Sequence, residues 1–322
     1  MTLQLDPPDE SFLASEVCTN LRNIHAGFAV LGIPYGVPYR MDGVHSDASN
    51  APSAFRKRTR RFAGQDDHYD FDLGGTLFGA TGLRLVDCGD VAGDPRSLES
   101  NKQNATEAVR LLLESGAAPL VLGGDDSVPP LVVRAYEHFG PVNVLQIDAH
   151  LDFRDEVRGI RDGYSSPMRR IREMPWVSRI VQVGMRGVGS ARPQDVADAR
   201  SAGNIIIPAR EVHEEGPAAV TRHLVDDAPW FVTLDVDGLD PGVAPGTSVP
   251  LPDGITFGEA STILRSLAAG CEFAGMDVVE HFPSLDVRDI TSITIARLLM
   301  NVLGVASRRS EHSNLYPNKE MK

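Results

Sequence analysis

A chain of 322 residues with 42% hydrophobic side chains is long enough for one large α/β domain or two small ones with a sizeable core. Its formal net charge of −13 argues against nucleic-acid binding, which needs clustered Lys and Arg, and suits a cationic substrate or metal ions drawn into an acidic cleft. Cys18, Cys88 and Cys271 lack CxxC spacing, so neither a disulfide framework nor a thiolate zinc site is indicated and a reducing, cytoplasmic setting fits; no run reaches the roughly 18 apolar residues of a membrane span, and no basic, apolar leader opens the chain.

Residues 1–26 read as an arm with room for a short helix. The apolar run 27–34 predicts the first strand, stopped by Pro34, and a loop over 35–50 follows with turn residues Gly36, Asp42 and Gly43. A basic helix opens at Ala51 with Pro52 in its first turn, and its stretch 56–61 reads as a solvated face. A strand over 84–87 and a helix over 100–114 come next, then a strand over 118–122 that ends in Gly123-Gly124-Asp125-Asp126-Ser127, and a helix to about Phe139. Residues 142–147 and 179–184 predict strands, the second delivering Arg186 to a loop. Further strands at 205–207, 230–234 and 272–279 alternate with helices near 193–202, 217–225 and 256–269, and 290–306 has helical apolar spacing. Residues 308–322 form a charged, turn-rich tail. Continuously apolar strands alternating with helices imply a three-layer α/β/α architecture with a mainly parallel central sheet. No linker-like shift in composition divides residues 27–307, which read as one domain.

The stretch around which this pattern is organised is 145–152, Leu-Gln-Ile-Asp-Ala-His-Leu-Asp, an apolar strand running into two carboxylates and an imidazole. Alternate residues of a strand project to one side, so Asp148, His150 and Asp152 converge if the extended geometry persists. Residues 231–241 repeat the pattern, with Asp235, Asp237 and Asp240 ahead of Pro241. Four carboxylates and one imidazole carry too much like charge to share a dry cleft without cations, which points to divalent metal and to two ions. Acids at Asp126, 148–152, 235–240 and Glu280 all fall at strand ends, on the carboxyl edge where parallel sheets place active sites. Helix capping explains any one such acid and not the five residues Asp148, His150, Asp152, Asp235 and Asp237 together. Arg186 reads as structural or as a subunit contact, Asp240-Pro241 as loop-shaping, and His281, adjacent to Glu280 on a strand, as facing away from it. Gly123-Gly124 lacks the spacing of a phosphate-binding loop.

On Leu31-Gly32-Ile33-Pro34-Tyr35, Ala51-Pro52, the Gly-Gly-Asp motif, Asp-Ala-His-x-Asp, Gly184-Met185-Arg186-Gly187, Asp-x-Asp-x-x-Asp-Pro with Ala244-Pro245-Gly246, and Asp277-Val278-Val279-Glu280, the sequence resembles the ureohydrolase family: arginases, agmatinases and guanidinobutyrases. The resemblance covers nearly the whole fold and implies an arginase-like architecture, two divalent ions (Mn2+ or Ni2+), and assembly as trimers or hexamers. It implies hydrolysis of a guanidino-type C–N bond by a hydroxide shared between the ions, releasing urea or a substituted urea and an amine. Asp148 and Asp235 would bridge the ions, His150 and Asp237 complete one of them, and Asp152 would bind the other and orient the hydroxide. Glu280 would lie against the planar guanidinium. The implied substrate is a small guanidine, alkylguanidine, biguanide, or guanidino amine or acid; arginine fits less well, because no loop for an α-amino acid head group is matched.

Two positions depart from the family pattern. Where the family motif Gly-Gly-Asp-His-Ser supplies a ligand His, this chain has Asp126. Carboxylate oxygen also binds Mn2+ well and Ni2+ acceptably, so Asp126 is expected to remain a ligand, adding negative charge and weakening the ions' Lewis acidity; the alternative is that Asp126 falls short of the first ion and leaves one strongly held metal. Residues 163–170 align with a family segment Ser-His-x-x-Pro-Phe-Arg-Arg whose His shuttles a proton to the leaving amine, and here Tyr164 stands in its place. A phenol, with a reference pKa of about 10, is a poor shuttle at neutral pH, so Tyr164 is expected to line the pocket and offer an aromatic face to the cation. The two losses open a second reading: a non-catalytic, metal-binding partner subunit in a mixed oligomer with an intact relative.

Overall fold

Unbroken apolar runs become strands because both of their faces are covered. In the computed structural model, which describes residues 3–37, 46–65, 67–79, 84–94 and 97–310, the ten strands are β1 (Leu5–Asp6), β2 (Glu16–Val17), β3 (Phe28–Ile33), β4 (Leu85–Val91), β5 (Ala118–Gly123), β6 (Val142–Ile147), β7 (Val177–Met185), β8 (Ile205–Pro208), β9 (Trp230–Asp235) and β10 (Phe273–Val279). They form one sheet in the order β1-β4-β3-β5-β10-β9-β6-β7-β8, with β2 also paired to β4. Every pairing is parallel except β1 with β4. Every residue of β3, β5, β6, β9 and β10 is buried, as a sheet sandwiched between helices requires.

The helices are α1 (Ala51–Thr59), α2 (Leu98–Glu114), α3 (Pro129–Arg134), α4 (Pro167–Arg172), α5 (Pro193–Ser201), α6 (Ala209–Glu215), α7 (Ala218–Thr221), α8 (Phe257–Gly270) and α9 (Ile290–Ser310). Apolar residues of α1 and of α6 through α9 pack into one core with Leu145, Ile147, Val232 and Leu234 from one face of the sheet. Those of α2 through α5 pack into a second core with Val142, Val144, Phe231 and Val279 from the other. The result is the three-layer α/β/α arrangement with a mainly parallel sheet. Helix starts follow local chemistry: Thr256 Oγ1 accepts from the Glu259 amide while Glu259 Oε2 accepts from the Thr256 amide, a reciprocal cap on α8.

Several expectations are corrected. Arg56 is not on a solvated face; it is 2% exposed, with Nε 2.8 Å and Nη2 3.0 Å from the two carboxyl oxygens of Asp87 and with Nη1 on Asp90. β4 runs on past Asp87 to Val91, paired there with β1 and with Gly32 of β3, and Arg56 offsets the charge of the two acids it carries. The arm contributes the edge strands β1 and β2 and one-turn 3-10 helices at Phe12–Ala14 and Leu21–Asn23, all too short to leave a periodic signal. The helix expected over 217–225 is only the short α7, while α4 and α6 went unread for the same reason of length. The segment Val287–Arg309 does meet the length and hydropathy of a membrane span, contrary to expectation, but 78% of its apolar window is buried and α9 packs on α1 and α8, so it serves the core. The last helix extends to Ser310; the tail beyond it, and the turn residues Asp42 and Gly43, lie outside the described residues.

Candidate metal centre

β5, β10, β9 and β6 are consecutive neighbours in the middle of the sheet, and their carboxyl ends share one edge. The chain therefore delivers Asp125 and Asp126 after β5, Glu280 after β10, Asp235 and Asp237 at the end of β9, and Asp148 to Asp152 after β6 into one crevice. Ligands bind at such carboxyl-end crevices in open α/β sheets.

Strand alternation is not what makes the β6 residues converge. β6 stops at Ile147, and Asp148 Oδ1 accepts a 2.6 Å hydrogen bond from the His150 amide, closing a tight turn. Asp152 then adopts a left-handed conformation, φ +45°, which turns its side chain back toward Asp148 and Asp126. A similar device ends β9: Asp235 Oδ1 accepts from the Asp237 amide and caps the 3-10 turn Val236–Gly238. Gly238 is needed there, because a Cβ would lie 2.6 Å from the Asp148 amide nitrogen. Asp237 Oδ1 in turn accepts from the Ala149 amide at 3.1 Å, locking the two strand ends together. Glu280 sits at φ +60°, donates its amide to the Gly124 carbonyl, and accepts from the Asp126 amide through Oε1 at 2.9 Å.

Two groups of candidate ligand atoms result, each lying within 4.8 Å of one another: Asp148, His150 and Asp237 in one, Asp126, Asp148 and Asp152 in the other. Asp148 is common to both. His150 Nδ1 is 3.0 Å from Asp237 Oδ2 and 3.5 Å from Asp148 Oδ1. Asp235 belongs to neither group, though it lines the same cavity. That cavity, of about 730 Å3, has Asp126, His150, Asp152, Asp237 and Glu280 on its acidic wall and Tyr164, 43% exposed, elsewhere on its lining. Asp125, Arg154, Arg158 and Phe282 line it too and were not read as site residues; Asp125 stood in the Gly-Gly-Asp motif and could have been, whereas the loop residues carry no spacing signal.

Electrostatics sets the ligand chemistry. Burial, reinforced by the charges of Asp152, Asp148, Asp235 and Glu280, pushes the Asp126 carboxyl well above the usual carboxylate range. Burial likewise raises Asp152, with Asp148 adding to it, and Asp235, with Asp237 and Asp148 adding to it. Glu280 is pushed up to about 8 by burial and by the charge of Asp125. Burial opposes the His150 imidazolium, yet its bonds to Asp148 and Asp237 outweigh that and carry it up to about 11. The acids thus recruit whatever positive charge is at hand. Asp126 Oδ2 is buried with no hydrogen-bond partner among the described residues, an oxygen that a bound cation would satisfy. Carboxylates with one imidazole form a donor set suited to hard or borderline divalent ions, so these residues fit a metal pair.

The neighbours play supporting parts. The Arg186 guanidinium donates to the carbonyls of Asp237, Gly238, Leu239 and Leu251, tying the β9 loop together as a structural arginine. Asp240 accepts from the Gly242 and Gly254 amides and shapes the following loop. His281 is fully buried away from the cavity, with Nδ1 3.1 Å from the Gly246 carbonyl, Nε2 3.1 Å from Ser292 Oγ, and its ring stacked on Phe55.

Comparison with known proteins places the chain in a family. Residues 26–304 match the model of the arginase family. The chain is 31% identical to the mitochondrial agmatinase of Gallus gallus over 93% of its own length and 89% of that protein's. It is 30% identical to the mitochondrial guanidino acid hydrolase of Homo sapiens, covering 92% of this chain and 85% of the relative. Among solved structures, proclavaminate amidino hydrolase from Streptomyces clavuligerus superposes with a TM-score of 0.79 at 27% identity, over 93% of this chain and 97% of that one. A family match over almost the whole sheet, with relatives aligned nearly end to end, establishes that the chain belongs to the arginase family, the ureohydrolases.

Proposed function

We propose that this chain hydrolyses a guanidino-type C–N bond in a small cationic substrate, a guanidine, alkylguanidine, biguanide, or guanidino amine or acid, releasing urea or a substituted urea and an amine. The observation that carries the reading is the pair of acidic ligand groups sharing Asp148 beneath a cavity walled by Glu280. Asp148, common to both groups, would help hold two ions, one with His150 and Asp237 and the other with Asp126 and Asp152, with Asp235 in the same cavity wall and Mn2+ or Ni2+ as the metal. When bound, such a pair activates water for attack near neutral pH.

The chain's own residues account for the rest. The Asp126 amide holds Glu280 Oε1, which orients the carboxylate so that Oε2 is left to accept guanidinium N–H groups. Fixing the planar cation there holds its carbon over the acidic floor, which is a gain in proximity rather than in chemistry. Asp152, bent inward by its left-handed backbone, would accept a hydrogen bond from the attacking oxygen and aim it. Tyr164 offers an aromatic face to the cation. The free cysteines Cys18, Cys88 and Cys271 fit a reducing, cytoplasmic setting, and we place the chain in a trimer or hexamer.

One observation favours a second reading. His150 is the only histidine lining the cavity among the described residues, so none of these offers a second imidazole to protonate the leaving amine. On that reading the chain is a metal-binding partner subunit of a mixed oligomer. Urea release by the purified chain, loaded with Mn2+ or Ni2+ and supplied with guanidine, alkylguanidines, biguanides, agmatine and guanidino acids, separates the two. Urea from any of these supports the enzyme; no urea alone, with activity only beside a related chain, supports the subunit.

A further inference from the structure

A row of amide side chains crosses the sheet just beneath the acids. In the register of β6 and β7, Gln146 stands opposite Gln182, and Asn204 lies immediately ahead of β8, the next strand out. All three are buried, with exposures of 1%, 0% and 6%. Gln146 Nε2 donates to Asp148 Oδ2 at 2.6 Å. Gln182 Nε2 donates to Gln146 Oε1 at 2.6 Å and to the Leu151 carbonyl at 2.8 Å, and Asn204 Nδ2 donates to Gln182 Oε1 at 2.8 Å.

The direction of this row follows from one end. An ionised Asp148 can only accept, so Gln146 must present its NH2 group to it and its oxygen to Gln182. Gln182 must then present NH2 to that oxygen, and its own oxygen to the NH2 of Asn204. The row's donors therefore run toward Asp148, and the far end is an acceptor, Asn204 Oδ1, left buried without a partner among the described residues. Neighbouring positions of the strand are Val144, Leu145 and Ile147, and an apolar residue at 146 would pack without the cost of burying an amide. The row thus fails to explain itself as core packing. Its product is a carboxylate whose two oxygens are both held, Oδ1 by the His150 amide and Oδ2 by Gln146.

We propose that Gln146, backed by Gln182 and Asn204, is a positioning residue that fixes the rotation of the Asp148 carboxylate and so tunes the affinity and coupling of the ion pair that Asp148 would share. The inference rests on the reading of Asp148 as a ligand common to both ions. Chained amides polarise one another, so the row strengthens the Gln146 bond without adding a charge. A neutral donor suits a site in which Asp126 already adds a carboxylate to the usual set: it steadies the bridging group and leaves the charge balance with the metal unchanged.

The test uses Gln146→Met, similar in length and without a donor, and Gln182→Met, which leaves Gln146 in place and removes its support. Mn2+ affinity is measured by titration against a competing chelator, the electronic coupling of the bound pair by electron paramagnetic resonance, and folding by thermal melting of the metal-free chain. Gln146→Met is expected to bind Mn2+ roughly 10–100-fold more weakly, the range for residues that orient metal ligands. Its spectrum should show altered coupling while the metal-free chain still melts in one cooperative transition, its melting temperature lowered no further than the loss of one buried hydrogen-bond partner explains. Gln182→Met should shift affinity the same way by a smaller factor. Wild-type affinity and spectrum in a folded Gln146→Met overturn the row's role alone; if Gln146→Met does not fold, the same result in Gln182→Met does so. A wild-type chain that holds no coupled ion pair overturns the shared-ligand reading as well, so the two failures are distinguishable.

Discussion

At the scale of single residues, the chemistry turns on Asp126 and Tyr164. Asp126 brings a charge where the family pattern has an imidazole, and its buried Oδ2 has no partner among the described residues. Asp126→Asn removes a carboxyl whose ionisation the buried acidic surroundings oppose, so the metal-free chain should melt at a higher temperature while Mn2+ binding weakens by at least roughly 10-fold, since a ligand matters no less than the groups that orient it. Differential scanning fluorimetry with and without Mn2+ reads both. Tyr164 lines the cavity with 43% of its surface exposed. A cation–π contact at such a site contributes about 0.5–1 kcal/mol, so Tyr164→Ala should raise KM roughly 2–5-fold with little change in kcat; steady-state kinetics giving an unchanged KM would remove the contact. Residue identities at the centre were legible in the alternating acids of 148–152 and 235–237. Their geometry was not, because alternation reports a strand, whereas Asp148 and Asp235 each fold the chain into a turn by capping the amide two residues on, and Asp152 bends it further through a positive φ. Side-chain-to-backbone bonds of this kind compete with the ladder and leave no period behind.

At the scale of elements, two buried ionisable residues set how strands and helices hold together. Arg56 joins α1 to β4 through Asp87 and Asp90, and its guanidinium also donates to the Gly89 carbonyl. Removing one partner of a buried pair typically costs about 3–5 kcal/mol, so Arg56→Ala should lose about that much in denaturant unfolding, while Arg56→Lys recovers only part, lacking the fork that meets both oxygens of Asp87. The sequence misled here because the basic run 56–61 looks like a solvated stripe, and the acids that explain its first member lie 31 and 34 residues on. Asp277 is the second case. It is fully buried in the middle of β10, opposite Thr233 of β9, and burial, only partly relieved by Thr233, pushes it up to about 8. Its folded-state pKa lies above the unfolded value, so its contribution is complete below about pH 4 and is lost as pH rises through about 8. Asp277→Asn should flatten the fall of stability between pH 5 and 8 by up to one proton, about 1.4 kcal/mol per pH unit. Urea unfolding of the two proteins across that window checks it; parallel curves would contradict the shift.

At the scale of the whole molecule, the sheet order does the organising. Four adjacent parallel strands present their carboxyl ends side by side, and a chain of net charge −13 concentrates buried acid at that edge. Bound cations should therefore stabilise the fold as a whole: an ion present at 100 times its Kd adds about 2.7 kcal/mol, so a chelator should lower the melting temperature and added Mn2+ restore it. The core strands and long helices were readable, since residues buried on both faces leave continuous apolar runs and α2, α8 and α9 span several turns. The edge strands β1 and β2 and the helices α4 and α6 were not, being two to seven residues long and held by tertiary contact rather than local pattern.

The proposed chemistry turns on Asp148 being shared by two ions. Anomalous X-ray diffraction from crystals grown with Mn2+ tests it most directly. The expected result is two peaks roughly 3.5–4 Å apart, one beside His150 and Asp237 and the other beside Asp126 and Asp152, with the Asp148 carboxylate between them. A single peak, or a second one that leaves Asp126 without metal, would contradict it.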